Sequence, residues 1–196
     1  MSKAANTRLT ILNKAFELIY SKGYQTTSID DIIATTQVTK GAFYYHFKTK
    51  DEMGVAIIDE ILKPTMLESF IQPIQDSKDP VIDLYNMISY LLLEDPFLQV
   101  QYGCPVGNLT QEMTPWNNQF SKALAELVEQ WQQTIEKAIL NAQDSGLVRK
   151  DVNGQQVAFF IMSGYWGIRN FGKLQDNNNS YISYLKEFKN YLNSLK

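Results

Sequence analysis

The chain has 196 residues, the length of one or two ordinary folding units, and at 44% hydrophobic, 12% aromatic and 20% charged residues it carries enough apolar surface to offset the entropy of ordering it. One cysteine, Cys104, excludes a disulfide framework or a cysteine-built zinc site, and one histidine, His46, excludes a multi-histidine metal centre and leaves little for an imidazole-based nucleophilic site. The net charge of -3 is unevenly placed: residues 1–50 hold 7 Lys+Arg against 3 Asp+Glu, whereas residues 51–196 hold 11 against 18. A phosphate field acts over about one Debye length, ~10 Å, so the basic head and not the acidic body is suited to a polyanion.

Helical spacing runs through the whole sequence, and no long period-2 alternation or hairpin turn interrupts it. Leu9, Leu12, Phe16 and Ile19, with Ala15 beside them, share one face of a first helix. Gly23 closes that helix as a left-handed cap, with Tyr24 packing back in a Schellman motif. Ser28 and Asp31 form a capping box that opens a short second helix with Ile29, Ile32 and Ile33 inward. A third helix starts at Thr39 and ends near His46, and a fourth carries Met53, Ile57, Ile61 and Leu62 inward from Asp51 to about Ile71. Beyond the Pro73–Pro80 interruption, helix five spans roughly Val81–Glu94, and a short piece after Pro105 ends near Met113. A long helix opens at Pro115 and stops at Gly146, where Leu147 supplies the second cap contact. The Gln155–Leu174 stretch is apolar nearly all round and predicts a central helix. A polar turn at Asp176–Ser180 precedes a last helix with Tyr181, Tyr184, Leu185, Phe188, Leu192 and Leu195 on one stripe. The expected fold is all-α with about nine helices: a three-helix head over residues 1–50 and a helical body over residues 51–196.

No apolar run approaches ~18 residues, since Val157–Ile168 is broken by Ser163, Gly164 and Gly167, so no membrane partner is expected. No basic-then-apolar leader opens the sequence, and the expected setting is a reducing one.

The second and third helices, joined by Thr35, Thr36, Gln37 and Val38, have helix-turn-helix spacing, in which the later helix enters the DNA major groove. At 100° per residue Phe43 and Phe47 define its core side, so Gly41, Ala42 and Tyr45 point away. A solvated helix face favours Glu and Lys, whereas glycine and alanine permit close approach. Lys40, Tyr44, His46, Lys48 and Lys50 suit phosphates, and Tyr45 and Thr39 suit base edges; aromatic packing within the head is the alternative.

The runs Thr27-Ser28-Ile29-Asp30-Asp31-Ile32 and Val38-Thr39-Lys40-Gly41-Ala42-Phe43-Tyr44-Tyr45-His46-Phe47-Lys48-Thr49-Lys50-Asp51-Glu52 resemble the signature of the TetR/AcrR family of bacterial transcriptional repressors. The resemblance covers about residues 7–54. It implies a cytoplasmic bacterial homodimer with a three-helix head that binds an operator in double-stranded DNA, and a divergent body for dimerisation and a small-molecule effector, with no catalysis and no cofactor. By position, it implies backbone contacts from Thr27, Ser28, Lys40, Tyr44, His46 and Lys50, and a base-reading face of Thr39, Gly41, Ala42 and Tyr45. Two departures stand out. The family's turn commonly reads Ala-Gly-Val where this chain has Thr36-Gln37-Val38, which predicts a strained non-glycine turn. Asp30 also stands where a basic residue is frequent, and a carboxylate there opposes phosphate binding.

Gly103–Glu112 resembles the segment that begins the sixth helix beside the effector chamber in one TetR-like subgroup. On that basis Trp116, Trp131, Met162, Tyr165, Trp166 and Phe171 line an apolar cavity in which Asn108, Glu112 and Arg169 orient polar groups, though ordinary core packing accounts for the same aromatics. Cys104 is either an inert buried thiol or, near a helix N-terminus, a thiolate open to electrophiles and oxidants. The expected function is a dimeric repressor released by a largely apolar or aromatic ligand, with the homodimer formed through the last two helices. Three alternatives remain: sensing through Cys104, a DNA-bound scaffold for protein partners without a small effector, and an all-helical enzyme built on the body.

Overall fold

The structure, a computed structural model, describes residues 3–175 and 177–196; Asp176, expected to open the polar turn, lies outside them. Among the described residues there is no strand, and 76% of them are helical. The helices are α1 (Lys3–Lys22), α2 (Ile29–Ala34), α3 (Lys40–His46), α4 (Lys50–Ile57), α5 (Lys63–Met66), α6 (Gln72–Gln75), α7 (Pro80–Leu93), α8 (Pro105–Met113), α9 (Asn118–Asp144), α10 (Gly154–Gly172) and α11 (Asn179–Asn193). Two π-helical stretches, Ile58–Leu62 and Leu67–Ile71, join α4, α5 and α6 into one run, which makes nine helical rods among the described residues. The fourth helix of the sequence reading is this run, and Ile61, placed inward from the sequence, is only half-buried in it.

The chain forms two compact units, residues 1–64 with 105–125 and residues 65–104 with 126–196. In the first, Leu12, Ala15, Phe16 and Ile19 are buried as the spacing predicts, joined by Ile11 and Tyr20, while Leu9 is partly exposed. Gly23 takes φ +96° and its N–H returns to Ile19 O at 2.8 Å, but the Schellman bond expected from Tyr24 is absent. The Tyr24 N–H instead donates to Glu112 at 2.8 Å, so a side chain distant in sequence replaces the helix's own carbonyl. The Ser28/Asp31 capping box forms with both bonds, at 3.0 and 2.8 Å, and of the three isoleucines of α2 only Ile32 is fully buried.

The turn after α2 corrects the expectation of strain. No described non-glycine residue has positive φ, because Thr36 Oγ1 accepts from Val38 N–H at 3.2 Å and the side chain closes the turn with ordinary backbone. The long helix α9 begins at Asn118 and not at Pro115, since Asn117 Oδ1 accepts from Gln119 and Phe120 N–H at 2.9 and 3.3 Å and acts as the cap.

In the second unit α9 ends as expected: Gly146 has φ +75°, its N–H returns to Gln143 O, and the Leu147 N–H reaches Ala142 O at 2.9 Å. The core is built from Phe70, Ile74, Leu84, Ile88, Trp131, Ile135, Ile161, Tyr165, Leu185 and Phe188. The α11 stripe of Tyr181, Leu185, Phe188, Leu192 and Leu195 lies buried within this one chain. Helix α10 is not covered all round: Phe159, Phe160 and Phe171 are exposed on it, as are Leu174 after it and Ile182 on α11. Of these, Phe160 also packs on Tyr191 of α11, with ring centroids 4.1 Å apart, so the apolar residues beyond α10's own core are in part exposed.

Candidate functional site

Three devices hold the two-turn helix α3. Thr39 Oγ1 accepts from Ala42 N–H at 3.2 Å as the N-cap, Phe43 and Phe47 are fully buried, and the Phe47 N–H closes on Phe43 O. The opposite side is bare. Gly41 is exposed, with nothing within 4 Å of where a Cβ would stand, and Ala42 is half-buried. Tyr44 is exposed with its ring edge-on to Phe43, and Tyr45 is 78% exposed with its ring edge-on to His46. This is a flat surface of small and aromatic groups flanked by Lys40, Lys48 and the half-buried His46.

Several of the residues implied in DNA binding are engaged within the head. Lys40 Nζ donates to Asp30 Oδ1 at 3.0 Å, and that bond raises the lysine's pKa, so the carboxylate feared as a repulsive group is turned onto its neighbour. Ser28 is exposed but caps α2. Thr27 is buried, donating from Oγ1 to Gly23 O at 2.8 Å. Lys50 Nζ donates to Tyr24 O at 2.6 Å and lies 4.3 Å from the Tyr24 ring centroid; burial lowers its pKa.

Where the end of α1, the start of α4 and α8 meet lies a polar network with no signature in the sequence. Glu112 accepts from the N–H groups of Tyr24 and Gln25 at 2.8 and 2.6 Å. Tyr24 Oη donates to Asp51 Oδ1 at 2.6 Å, and Asn117 Nδ2 donates to Asp51 Oδ2 at 2.9 Å. Burial, followed by the bond to Asp51, pushes the Tyr24 phenol well above its ordinary range. All these partners are 27 to 88 residues apart, and only the helix breaker Gly23 marks the place in the sequence.

The proposed effector residues divide between the two units. Asn108, Glu112 and Trp116 belong to the first, where Glu112 is bonded as above, Asn108 is half-buried and Trp116 is 81% exposed. Cys104, Trp131, Met162, Tyr165, Trp166 and Arg169 belong to the second, where all but the half-buried Trp166 are buried. There Trp131 and Tyr165 form an edge-to-face triad with Phe70, with centroids 5.1 to 5.6 Å apart; Phe70, which sequence reading missed, sits in the second π stretch. Met162, Tyr165 and Arg169 follow at i, i+3 and i+7 on α10, so they share a face. The fully buried Arg169 donates to Gln99 O at 3.2 Å and Gly103 O at 2.5 Å and lies 5.7 Å from the Tyr181 ring. Cys104 is buried directly before α8, and its neighbour Lys173 has a pKa lowered by burial, with Cys104 opposing that shift.

Comparison with known proteins matches residues 11–57 to the family of bacterial regulatory proteins, tetR family, and residues 88–188 to the tetracyclin repressor-like C-terminal domain. A transcriptional regulator of the helix-turn-helix type, in the lacX 3'region of Lactococcus lactis subsp. lactis, is 35% identical over 130 residues, covering 66% of each chain. The transcriptional repressor DhaR of Mycobacterium sp. (strain GP1) is 27% identical over 161 residues, covering 82% of this chain and 79% of its own. The crystal structure of the regulatory protein TetR from Rhodobacter sphaeroides superposes with a TM-score of 0.82 at 26% identity, covering 93% of this chain and 97% of the other. Among the described residues no helix is long and apolar enough to cross a membrane. With a helix-turn-helix head and a matched C-terminal domain in one all-helical chain, the protein belongs to the TetR/AcrR family of DNA-binding transcriptional regulators, which are not enzymes.

Proposed function

We propose that the protein is a homodimeric repressor that grips a two-fold operator through residues 1–50 and releases it when residues 51–196 bind a small, largely apolar or aromatic ligand. The bare face of α3 carries the reading: glycine and alanine let the helix approach base edges, and the exposed Tyr45 reaches them. Lys40, Tyr44, His46 and Ser28 hold phosphates around it. Dimerisation is assigned to the exposed side of α10 and α11, because a two-fold operator needs two heads about one DNA turn apart. The effector is assigned to the second unit, where Trp131, Tyr165 and Met162 form a buried apolar, aromatic cluster and Arg169 supplies a buried cation. A ligand releases DNA only by preferring the dimer geometry in which the heads no longer fit successive major grooves.

The test is selection of a duplex from a randomised pool, followed by titrations of variants. Tyr45→Ala changes which sequences are preferred. Lys40→Ala weakens all duplexes alike and lowers the salt slope by roughly 1. In the same assay, a ligand that quenches Trp131 fluorescence lowers affinity for the selected duplex. Unranked affinities in the selection, or a ranking untouched by Tyr45→Ala, overturn the assignment of the reading face.

A further inference from the structure

Helix α3 has only seven residues, too few to be stable by itself, so its orientation is set by what holds its two ends. The N-terminal end has Thr39. At the C-terminal end stands Arg8, a residue of α1. Its Nη1 donates to the carbonyl of His46, the last residue of α3, at 3.3 Å. Its guanidinium carbon lies 4.3 Å from the centroid of the buried Phe47 ring. The rest of the fork is occupied by Glu60: Nη2 reaches Oε1 at 2.5 Å, and Nε lies 3.2 and 3.3 Å from the two carboxylate oxygens.

Each contact has a separate physical basis. A cation at the last carbonyl of α3 meets the negative end of the helix dipole, the flat guanidinium stacks on the aromatic face, and the carboxylate fixes the plane of the fork. Only arginine satisfies all three at once. Glu60 lies in the π stretch Ile58–Leu62, and π turns inside helices are concentrated at functional positions. Phe43 and Phe47 hold α3 against the core along one side, the Arg8 contacts fix its C-terminal end, and base reading depends on the helix being held to within a fraction of an ångström.

We infer that Arg8 is a positioning residue for operator recognition: it locks the C-terminal end of α3 to Glu60, so that the angle of the reading face, and any shift of the Glu60 turn, is transmitted through one guanidinium. The inference rests on the reading of α3 as the recognition helix. It predicts a loss of discrimination and not of general attraction to DNA, because Arg8 faces its protein partners and is not assigned to phosphate.

The experiment measures affinity for the selected duplex and for random duplex across a salt series, with thermal melting alongside, for Arg8→Ala, Glu60→Gln, Arg8→Lys and the exchanged pair Arg8→Glu with Glu60→Arg. Arg8→Ala is expected to lower the ratio of specific to random affinity about tenfold, with random binding and salt slope unchanged; Arg8→Lys recovers part of the ratio. The exchanged pair restores opposite charges but not the His46 or Phe47 contacts, and is expected to stay defective. If random affinity also falls and the salt slope drops by roughly 1, Arg8 is a phosphate contact and the inference fails. It fails equally if only the melting temperature moves, or if the exchanged pair recovers fully, because an ordinary surface ion pair then explains everything. Should Arg8→Ala unfold the head, the milder Glu60→Gln decides by the same ratio. Tyr45→Ala, run in parallel, separates the two levels: no change there refutes the recognition helix itself, whereas a change there with none from Arg8 and Glu60 refutes only this inference.

Discussion

Asp30 and Lys40 show how a single contact alters the meaning of a charge. In the sequence Asp30 opposes phosphate binding, yet its carboxylate accepts from Lys40 Nζ at 3.0 Å and lies beside the reading helix. Both groups are exposed, so the pair has little worth for stability, but in the proposed complex it would compete with phosphate for the same lysine. Asp30→Asn is expected to raise affinity for every duplex severalfold and steepen the salt slope by up to about 1, read from titrations at several salt concentrations. An unchanged slope means that Lys40 makes no phosphate contact. Asp31, next to it, has a carboxyl held below its ordinary range by the Ser28 hydroxyl and then by the Ser28 N–H. A folded pKa below the unfolded one gives stability that is complete above the ordinary carboxylate pKa and lost as pH falls through the lowered value. The α2 cap is thus expected to loosen only in acid.

At the scale of elements, the joint between α8 and the end of α1 is the feature with the clearest consequence. Glu112 presents one oxygen to each of two successive N–H groups, at Tyr24 and Gln25, which a carboxylate does and an amide cannot. Glu112→Gln turns one acceptor into a donor facing a donor, and is expected to cost about 1–2 kcal/mol. The measurement is hydrogen exchange at the Tyr24 and Gln25 amides together with thermal melting; retained protection at both amides refutes the role given to the carboxylate. Nothing local marks this joint, since Gly23 and Tyr24 read as an ordinary Schellman cap. The capping box at Ser28, by contrast, was legible because both partners lie within one helical turn. The π stretches in the α4–α6 run were not read either, because the same apolar residues fit an α-helical stripe, although each stretch ends two residues before a proline, Pro64 and Pro73, which interrupts the α-helical hydrogen-bond ladder.

For the whole molecule, the proposed homodimer turns on which side of α10 and α11 is open to a second copy. The stripe of Leu185 and Phe188 is already buried in its own chain, so charges there unfold the second unit and say nothing about assembly. Phe160 and Phe171 are both exposed and lie eleven residues apart on α10, within about 20° of the same direction. Phe160→Asp with Phe171→Asp is expected to give a helical monomer whose dimer dissociation constant has risen at least ~100-fold, since buried aromatic anchors contribute roughly 2 kcal/mol or more each. Sedimentation velocity with circular dichroism checks it, and an intact dimer places the interface elsewhere.

The sequence by itself determined the all-helical class, the head with its helix-turn-helix, the helix ends at Gly23 and Gly146 and the side of α3 that is buried. These depend on contacts within a turn or two, where spacing and side-chain type carry the information. It also carried the charge split between head and body. Tertiary structure alone decided that Thr27 and Lys50 serve the head's interior, that Trp116 is exposed, that Thr36 closes a turn without glycine, that Arg8 bonds both Glu60 and the last carbonyl of α3, and that Glu112 bonds the chain just after α1. An apolar stripe states that a helix has a buried side but not what buries it, and only the folded chain shows that the Leu185 and Phe188 side of α11 is covered from within while Phe159, Phe160 and Phe171 of α10 stay exposed.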